Sequence, residues 1–287
     1  MTPRADATWS KPRVLFVSRT RYRLPLGVSL AQKWDALAEE LELRVLATAA
    51  DGAGRDERFE LVHAASGASF WLRLPLRIAR LLRSFRPDAV VTQSPYEAAA
   101  TLLARRLTGS RARIVTDVQG DWRTATRLYG SPLRATLRPL ADAAAAAALR
   151  RVDAVRTISP YTSRLVRELG LEPADEFPAY MDFDSFLQAP PQPLPEQPQA
   201  LFVGVLERYK NVDGLVAAWR KAAPRIPEAR LRIIGDGAAL GEAVRRYFGD
   251  AALRERLRSA AASSVAAYAP ERVFGELEAT LRRVANA

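Results

Sequence analysis

Residues 14–17 read Val-Leu-Phe-Val, an uninterrupted apolar run of strand length. Strands that are covered on both faces, as in parallel sheets, stay apolar throughout instead of alternating with polar residues. The residues that follow place Leu30, Trp34 and Leu41 at helical spacing, which predicts an amphipathic helix. A buried strand followed by a covering helix is the repeating unit of a parallel α/β sheet.

The same pattern continues outward through the first half of the chain. Ser159 is suited to capping a helix, Pro160 to its first position and Gly170 to a left-handed exit. We therefore expect one complete doubly wound α/β domain over residues 1–185. The further strands of its sheet are predicted at residues 43–46, 89–92, 114–116 and 154–158.

The second half repeats this pattern only in part. Seven prolines crowd residues 173–198, and we place a Pro-rich linker at 186–198. Strands are predicted at 200–203 and 231–234, and the pattern after residue 238 is helical. Because a nucleotide-binding sheet normally has about six strands, residues 199–287 predict an abridged, marginally stable second Rossmann-like domain with terminal helices.

Composition excludes several kinds of site. The chain has no cysteine and one histidine, so neither a thiolate metal site nor a multi-histidine zinc site is available. We predict no metal and no cofactor. The net charge of +11 comes from dispersed arginines without a nucleic-acid motif, so no nucleic-acid partner is expected. Residues 1–11 are polar and lack the apolar core of a signal peptide, so we expect a cytoplasmic protein.

Residues 201–237 carry the most specific chemical signal. A strand is followed by Gly204, then by a loop with Arg208 and Lys210, then by a helix. Glycine permits close backbone approach, while the cations and the helix N-terminus favour an anion, so the stretch predicts a diphosphate cradle. The alternative is an ordinary strand-to-helix turn with solvated cations.

The run at 201–215, Leu-Phe-Val-Gly-Val-Leu-Glu-Arg-Tyr-Lys-Asn-Val-Asp-Gly-Leu, resembles the segment that opens the donor domain of GT-B glycosyltransferases of family 4. The resemblance implies that Gly204, Arg208 and Lys210 bind the donor diphosphate. It also implies that a strand ending in Gly235 and Gly237 borders the donor site. Further matches follow in order at 156–159, 178–186 and 249–283.

What this resemblance implies is a glycosyltransferase of the hexosyltransferase type, retaining and independent of metal. It would transfer a sugar from a nucleotide-diphosphate sugar to a hydroxyl of a sugar or lipid-linked acceptor. Gln119 stands where the family usually presents a histidine near the reacting sugar, and it could bind a sugar hydroxyl. Asp117 and Asp121 could do acid–base work, or could be turn residues.

Three further residues are candidates for binding the acceptor. Arg21 and Arg23 could meet a phosphorylated or lipid-linked acceptor, and Trp122 lies in the loop after the strand at 114–116. The alternative for the two arginines is solvated loop charge. These residues belong to the first domain, where the resemblance places the acceptor.

One departure from the family puts activity in doubt. The resemblance implies two glutamates seven residues apart in a glycine-rich setting, and the only pair at that spacing in this half is Glu271 and Glu278, in helical sequence. Residues 199–287 are 89 residues long, well short of a typical domain of about 150 or more. The alternative function is therefore a non-catalytic remnant or binding protein that kept the acceptor domain but lost donor chemistry.

Residues 71–85 predict a basic amphipathic helix. Its apolar positions, led by Leu74 and Ile78, alternate with Arg73, Arg77 and Arg80. Such a helix could lie on the anionic inner face of a membrane, which would make the protein peripheral. The alternative is an ordinary helix that covers the sheet.

Overall fold

The computed structural model of the chain describes residues 11–50, 54–62, 67–124, 136, 138–180, 196–204, 210–234, 275–277, 279–280 and 283. The chain divides into two compact units, of which the first is Met1–Met181 with Ala267–Ala287 and the second is Asp182–Ala266. Most of the predicted linker at 186–198 lies outside the described residues. The terminal segment groups with the first unit, whereas the sequence interpretation counted it with the second.

A seven-stranded parallel sheet forms the centre of the first unit. Its strands lie in the order β3-β2-β1-β4-β5-β6-β7. The chain reverses its direction of travel across the sheet beside β1, as in doubly wound nucleotide-binding folds. The predicted α/β sheet is therefore confirmed. The strands are β1 (Arg13–Tyr22), β2 (Glu42–Ala49), β3 (Phe59–Val62), β4 (Ala89–Thr92), β5 (Arg113–Val118), β6 (Ala154–Thr157) and β7 (Asp175–Glu176).

Helices cover both faces of this sheet. On one face, Trp34 and Leu37 of α1 pack against Phe16 of β1. On the other face, Leu74 and Ile78 of α2 pack with Leu15 of the same strand. The helices of the unit are α1 (Val28–Glu40), α2 (Gly67–Ser84), α3 (Pro95–Thr108), α4 (Arg138–Leu149) and α5 (Pro160–Arg167).

The apolar side of α2 is used by the core. The positions that predicted an amphipathic helix are buried, namely Leu74, Ile78, Leu81, Leu82 and Phe85. They are not available to a membrane, and α2 is a covering helix. Two leucines on its outer side, Leu72 and Leu76, are 79% and 66% exposed.

The structure confirms the predicted start and end of α5. Ser159 caps α5 together with Thr162, Pro160 is its first residue, and Gly170 beyond its end has a φ of 74°. Strand β5 runs two residues further than predicted, to Val118. Asp117 therefore lies inside a strand and not in an exposed loop, which corrects the sequence interpretation.

The second unit contains a parallel pair of strands joined by a helix. Strand β8 (Gln199–Val203) pairs with β9 (Arg230–Ile234), and α6 (Val212–Ala222) with a 3₁₀ turn (Ala223–Arg225) connects them. The two predicted strands are confirmed. None of the described side chains of this unit is fully buried. Those of the two strands and of α6 are half-buried or exposed.

Gly54 lies in the loop that follows β2, and it touches the backbone of the loop that follows β1. A Cβ atom at position 54 would lie 2.6 Å from Pro25 N and 2.7 Å from the Leu24 carbonyl carbon. The Gly54 amide donates to Leu24 O at 3.2 Å. Because these neighbours are backbone atoms, they cannot rotate away as a side chain would.

We expect Gly54→Ala to lower the free energy of unfolding by about 1–3 kcal/mol, as overpacking does. Urea unfolding followed by tryptophan fluorescence measures the change. Gly120→Ala is the matched control, because nothing lies within 4 Å of a Cβ at that position. Equal stability of the two variants would contradict the steric argument.

Glu97 is a buried carboxyl group in the first turn of α3. It is 3% exposed, and its Oε2 contacts the hydroxyl of Ser94, the residue that caps the helix. Burial raises the pKa of Glu97 to about 7, although its own backbone amide and Arg19 oppose the shift. The folded protein thus favours the protonated acid.

A raised folded-state pKa predicts stability that is present at low pH and lost as the pH rises. For Glu97 this contribution is complete below the unfolded pKa of 4.5 and is lost by about pH 7. We expect wild-type stability to fall by about 3 kcal/mol relative to Glu97→Gln between pH 4.5 and pH 8. Urea unfolding at a series of pH values tests this, and parallel profiles for the two proteins would contradict it.

Candidate functional site

Polar side chains gather at the carboxyl edge of the seven-stranded sheet. In doubly wound folds ligands bind at this edge, near the point where the strand order reverses. Here that point lies between β1 and β4. Thr20 Oγ1 donates to Gln93 Oε1 at 2.8 Å and so joins the ends of these two strands.

A buried ion pair lies beside this point, where β5 and β6 are neighbours. Arg156 Nη1 donates to Asp117 Oδ1 at 2.6 Å, and Asp117 is only 7% exposed. Arg156 Nη2 donates to the carbonyls of Phe177 and Pro178 at 2.7 and 2.9 Å. The guanidinium carbon lies 3.8 Å from the centre of the Phe177 ring.

Gln119 follows β5 and is exposed at the carboxyl edge. Its Nε2 donates to Asp117 Oδ2 at 2.7 Å. The two oxygens of Asp117 therefore have different partners, one a cation within the sheet and the other an amide at its edge. The structure thus brings Gln119 together with Asp117 and Arg156.

Lys33 of α1 adds a second cation to this cluster. It interacts electrostatically with Asp117 and Arg156, and its ammonium lies 4.9 Å from the centre of the Trp34 ring. Burial lowers the pKa of the Lys33 amine, while the Asp117 carboxylate opposes this shift and the Arg156 charge adds to it. A site with two cations and one carboxylate favours ligands with negative or hydrogen-bond-accepting groups near Lys33.

Asp121 and Trp122 have strong local partners. Asp121 Oδ1 accepts from the backbone nitrogen and Nε of Arg123 at 2.9 and 2.8 Å. Trp122 is 9% exposed and packs with Val118 and Leu165 in the core beneath the loop. Asp121 thus forms a turn with Arg123, and Trp122 supports the loop from below. Roles for them in catalysis and acceptor binding stay predictions.

Arginines line the end of β1. Arg21 and Arg23, the predicted acceptor residues, are exposed on either side of the buried Tyr22. Arg19 lies two residues before Arg21, with its guanidinium carbon 5.4 Å from the centre of the Trp71 ring. The edge of the sheet beside the β1–β4 junction is thus strongly cationic.

The predicted donor residues lie in the second unit. The Gly204 amide donates to Ile234 O at 3.0 Å and so takes part in the β-ladder, and a role for Gly204 in donor binding stays a prediction. Lys210 is exposed just before α6. Asn211, between them, has a φ of 51°. Three further predicted donor residues lie outside the described residues: Arg208, Gly235 and Gly237.

Sequence reasoning missed the ion pair at the centre of the site. A charged residue inside an otherwise apolar strand is the signal that could have found it, and both Asp117 and Arg156 stand in such runs. Their partnership depends on β5 and β6 being neighbours, in the register that sets Asp117 opposite Arg156. Within the part of the chain that the structure describes, no group of three acidic or histidine side chains could hold a metal ion.

Similarity to sucrose-phosphate synthase supports the fold, and two further solved structures are similar to this chain with TM-scores below 0.5. Sucrose-phosphate synthase from Thermosynechococcus elongatus is 15% identical with a TM-score of 0.51, and the match covers 86% of this chain and 68% of that chain. An apo lipopolysaccharide outer core galactosyltransferase, WaaB, is 15% identical with a TM-score of 0.48 over 83% of this chain. UDP-GlcNAc 2-epimerase from Neisseria meningitidis, bound to UDP-GlcNAc, is 11% identical with a TM-score of 0.46, covering 79% and 67% of the two chains.

The GT-B-like α/β fold predicted from the sequence is therefore confirmed. The chain spans 65% of the length of the galactosyltransferase that it matches. No curated protein sequence matches the chain. A family model described as a glycosyl transferase 4-like domain matches residues 26–177, more than half of the 287 residues. The chain belongs to this glycosyl transferase 4-like family.

Proposed function

We propose that the protein is a glycosyltransferase that moves a sugar from a nucleotide-diphosphate sugar to an acceptor hydroxyl, with retention and without a metal ion. The observation that carries the proposal is the family match over residues 26–177. This range includes β2 to β7 and the polar residues that follow β4 and β5. The first unit would bind the acceptor, and the second unit would bind the donor.

The first unit offers the chemistry that an acceptor requires. Gln119 at the carboxyl edge provides an exposed amide, and Arg21 and Arg23 provide exposed positive charge. A sugar hydroxyl suits the amide, and a phosphate or another anionic group on the acceptor suits the arginines. This combination favours a phosphorylated or lipid-linked sugar acceptor over a neutral one.

The second unit offers positive charge at a helix start. Lys210 precedes α6, whose first backbone amides have no carbonyl partner within the helix. A helix N-terminus with an adjacent cation stabilises the negative charge of a diphosphate. We expect Lys210, with Arg208 and Gly204, to hold the donor diphosphate.

Transfer requires one bond to break and one to form at the anomeric carbon. The bond from that carbon to the diphosphate oxygen breaks, the acceptor oxygen attacks from the same side, and the acceptor proton passes to the departing diphosphate. Negative charge grows on the diphosphate as its bond breaks. Fixed cations such as Lys210 lower the barrier because they stabilise that charge where it develops.

The alternative is a binding protein without donor chemistry. The absence from the sequence of the glycine-rich two-glutamate motif favours this alternative, because that motif would hold the donor sugar and ribose. The sequence keeps Lys210 and Arg208, which favours the transferase. Both functions share the acceptor site, so donor binding is the property that separates them.

We expect one nucleotide sugar to raise the thermal unfolding temperature of the protein, since a ligand that binds only the native state stabilises it. The panel contains uridine, guanosine and adenosine diphosphate sugars. Lys210→Ala should lower the affinity for that ligand by about 10-fold or more, because a hydrogen bond to a charged group contributes about this much to binding. Lys221→Ala is the matched control, because Lys221 lies in the last turn of the same helix.

A nucleotide sugar that stabilises the wild type and the Lys221 variant, but not the Lys210 variant, supports the donor site. A transfer assay with that donor then tests catalysis. If no nucleotide sugar shifts the unfolding of a folded sample, the binding-protein alternative replaces the transferase.

Peripheral attachment to the inner face of a membrane is a separate part of the proposal. None of the described helices is long and apolar enough to cross a bilayer. Because the apolar side of α2 is buried, attachment would have to use the exposed Leu72 and Leu76. Arg73 and Arg80 lie beside them on the exposed surface. Apolar side chains among cations are typical of surfaces that bind anionic lipid.

We expect the protein to float with phosphatidylglycerol vesicles at low salt and to be released by salt, because the arginines supply much of the attraction. Leu72→Ser with Leu76→Ser should reduce flotation several-fold through lost insertion. The control pair is Leu103→Ser with Leu107→Ser, two exposed leucines one turn apart on α3. If neither salt nor the double substitution of Leu72 and Leu76 changes flotation, attachment at this surface is contradicted.

A further inference from the structure

The amide group of Gln119 has a defined direction in the structure. Its Nε2 lies 2.7 Å from Asp117 Oδ2. A carboxylate oxygen only accepts hydrogen bonds, so the group that faces it must be the NH₂ of the amide. Nε2 keeps a second N–H, but because the oxygen and nitrogen of an amide diverge from one carbon, Oε1 is turned away from Asp117. The exposed edge therefore meets Oε1, which is a pure acceptor.

Both oxygens of the buried Asp117 carboxylate are engaged in hydrogen bonds. Its Oδ1 accepts from Arg156 Nη1 at 2.6 Å, which leaves Oδ2 for Gln119. Asp117 lies within β5 and is almost fully buried, so water has little access to it. An arginine stays charged at all ordinary pH and gives the buried carboxylate a permanent counter-charge.

Arg156 is in turn held from its other side. Its Nη2 donates to Phe177 O at 2.7 Å and to Pro178 O at 2.9 Å, and its plane lies over the Phe177 ring. Arginine has no acceptor atom, so every contact in this chain has a fixed donor and a fixed acceptor. Arg156 donates to Pro178 and to Asp117, and Gln119 donates to Asp117, so the donor and the acceptor of each bond cannot be exchanged.

We infer that Asp117 is a positioning residue that sets the hydrogen-bonding polarity of Gln119. With one N–H bound to Asp117, Gln119 turns Oε1, its only acceptor, to the exposed edge, where it accepts a hydrogen bond from a ligand hydroxyl. The inference rests on the proposed function in that the hydroxyl belongs to the acceptor sugar. Anionic groups of a ligand are matched better by Lys33 or by the arginines of β1, because these side chains are cations.

A simpler reading is that Gln119 only satisfies Asp117 at the end of the strand and meets no ligand. The variant Asp117→Asn separates the two readings, because it reverses the polarity without changing the shape. Arg156 still requires an oxygen, so the new amide must place its nitrogen toward Gln119. Gln119 must then turn its Oε1 inward and present its Nε2 to the site.

The polarity is measured on the full chain by exchange of side-chain amide protons in ¹⁵N-labelled protein, with Gln119→Ala used to assign the signals. In the wild type the Gln119 amide protons should exchange about 3- to 10-fold more slowly than in Asp117→Asn, as one hydrogen bond implies. Equal exchange in the two proteins overturns the inference, whatever the protein binds.

Asp153→Asn is the matched control for loss of a carboxylate that is bound by arginine. Asp153 Oδ2 accepts from Arg105 Nη1 at 2.6 Å and from the Ile114 amide at 2.8 Å, at the opposite edge of the sheet. This variant should leave Gln119 exchange unchanged. A change as large as that in Asp117→Asn would show a general loosening and would overturn the inference.

The ligand arm measures the KM of the acceptor sugar in the transfer assay, together with that of its deoxyfluoro analogues, in which one hydroxyl can no longer donate. One analogue should raise this KM about 10-fold in the wild type, and the difference should vanish in Asp117→Asn. Equal differences in both proteins overturn the hydroxyl assignment. If no nucleotide sugar binds, the proposed function fails, and the amide exchange still decides the polarity.

Discussion

The burial of β1 on both faces is the constraint around which the first unit is arranged. The strand pairs with β2 on one side and with β4 on the other, so all of its central backbone groups are bonded within the sheet. Its side chains alternate between two cores, Leu15 and Val17 in one and Val14 and Phe16 in the other. Both faces must therefore be covered, and α1 on one side with α2 and α3 on the other meet that need.

This arrangement also creates the candidate site. Because the chain leaves β1 in one direction and returns to β4 in the other, the loops after these strands separate and leave an open edge between them. The end of β1 brings arginines to that edge, and β5 brings Gln119. The chemistry of the site thus follows from strand order, since these residues are about a hundred positions apart in the sequence.

Among the residues that the structure describes, Asp117 and Arg156 are the buried charged side chains of the seven-stranded sheet. Burying two charges is costly unless each is well bonded, and removing one partner from such a pair typically costs about 3–5 kcal/mol. Here each oxygen of the carboxylate is bonded, and the arginine binds two backbone carbonyls as well. This bonding offsets the cost of burying the pair, and it joins Gln119 at the edge to Phe177 and Pro178, which follow β7.

Much of the fold could be read from the sequence because its signals are local. Apolar runs marked the strands, and Ser159 with Pro160 marked the start of α5, since a cap depends only on residues next to it. Tertiary structure alone decided what those elements do together. In the folded protein the apolar side of α2 is buried in the core and β5 extends to include Asp117. The Gly204 amide is hydrogen-bonded to Ile234 O in the second sheet. The partnership of Asp117 with Arg156 and Gln119 depends on which strands are neighbours and in which register, and no local pattern encodes that contact.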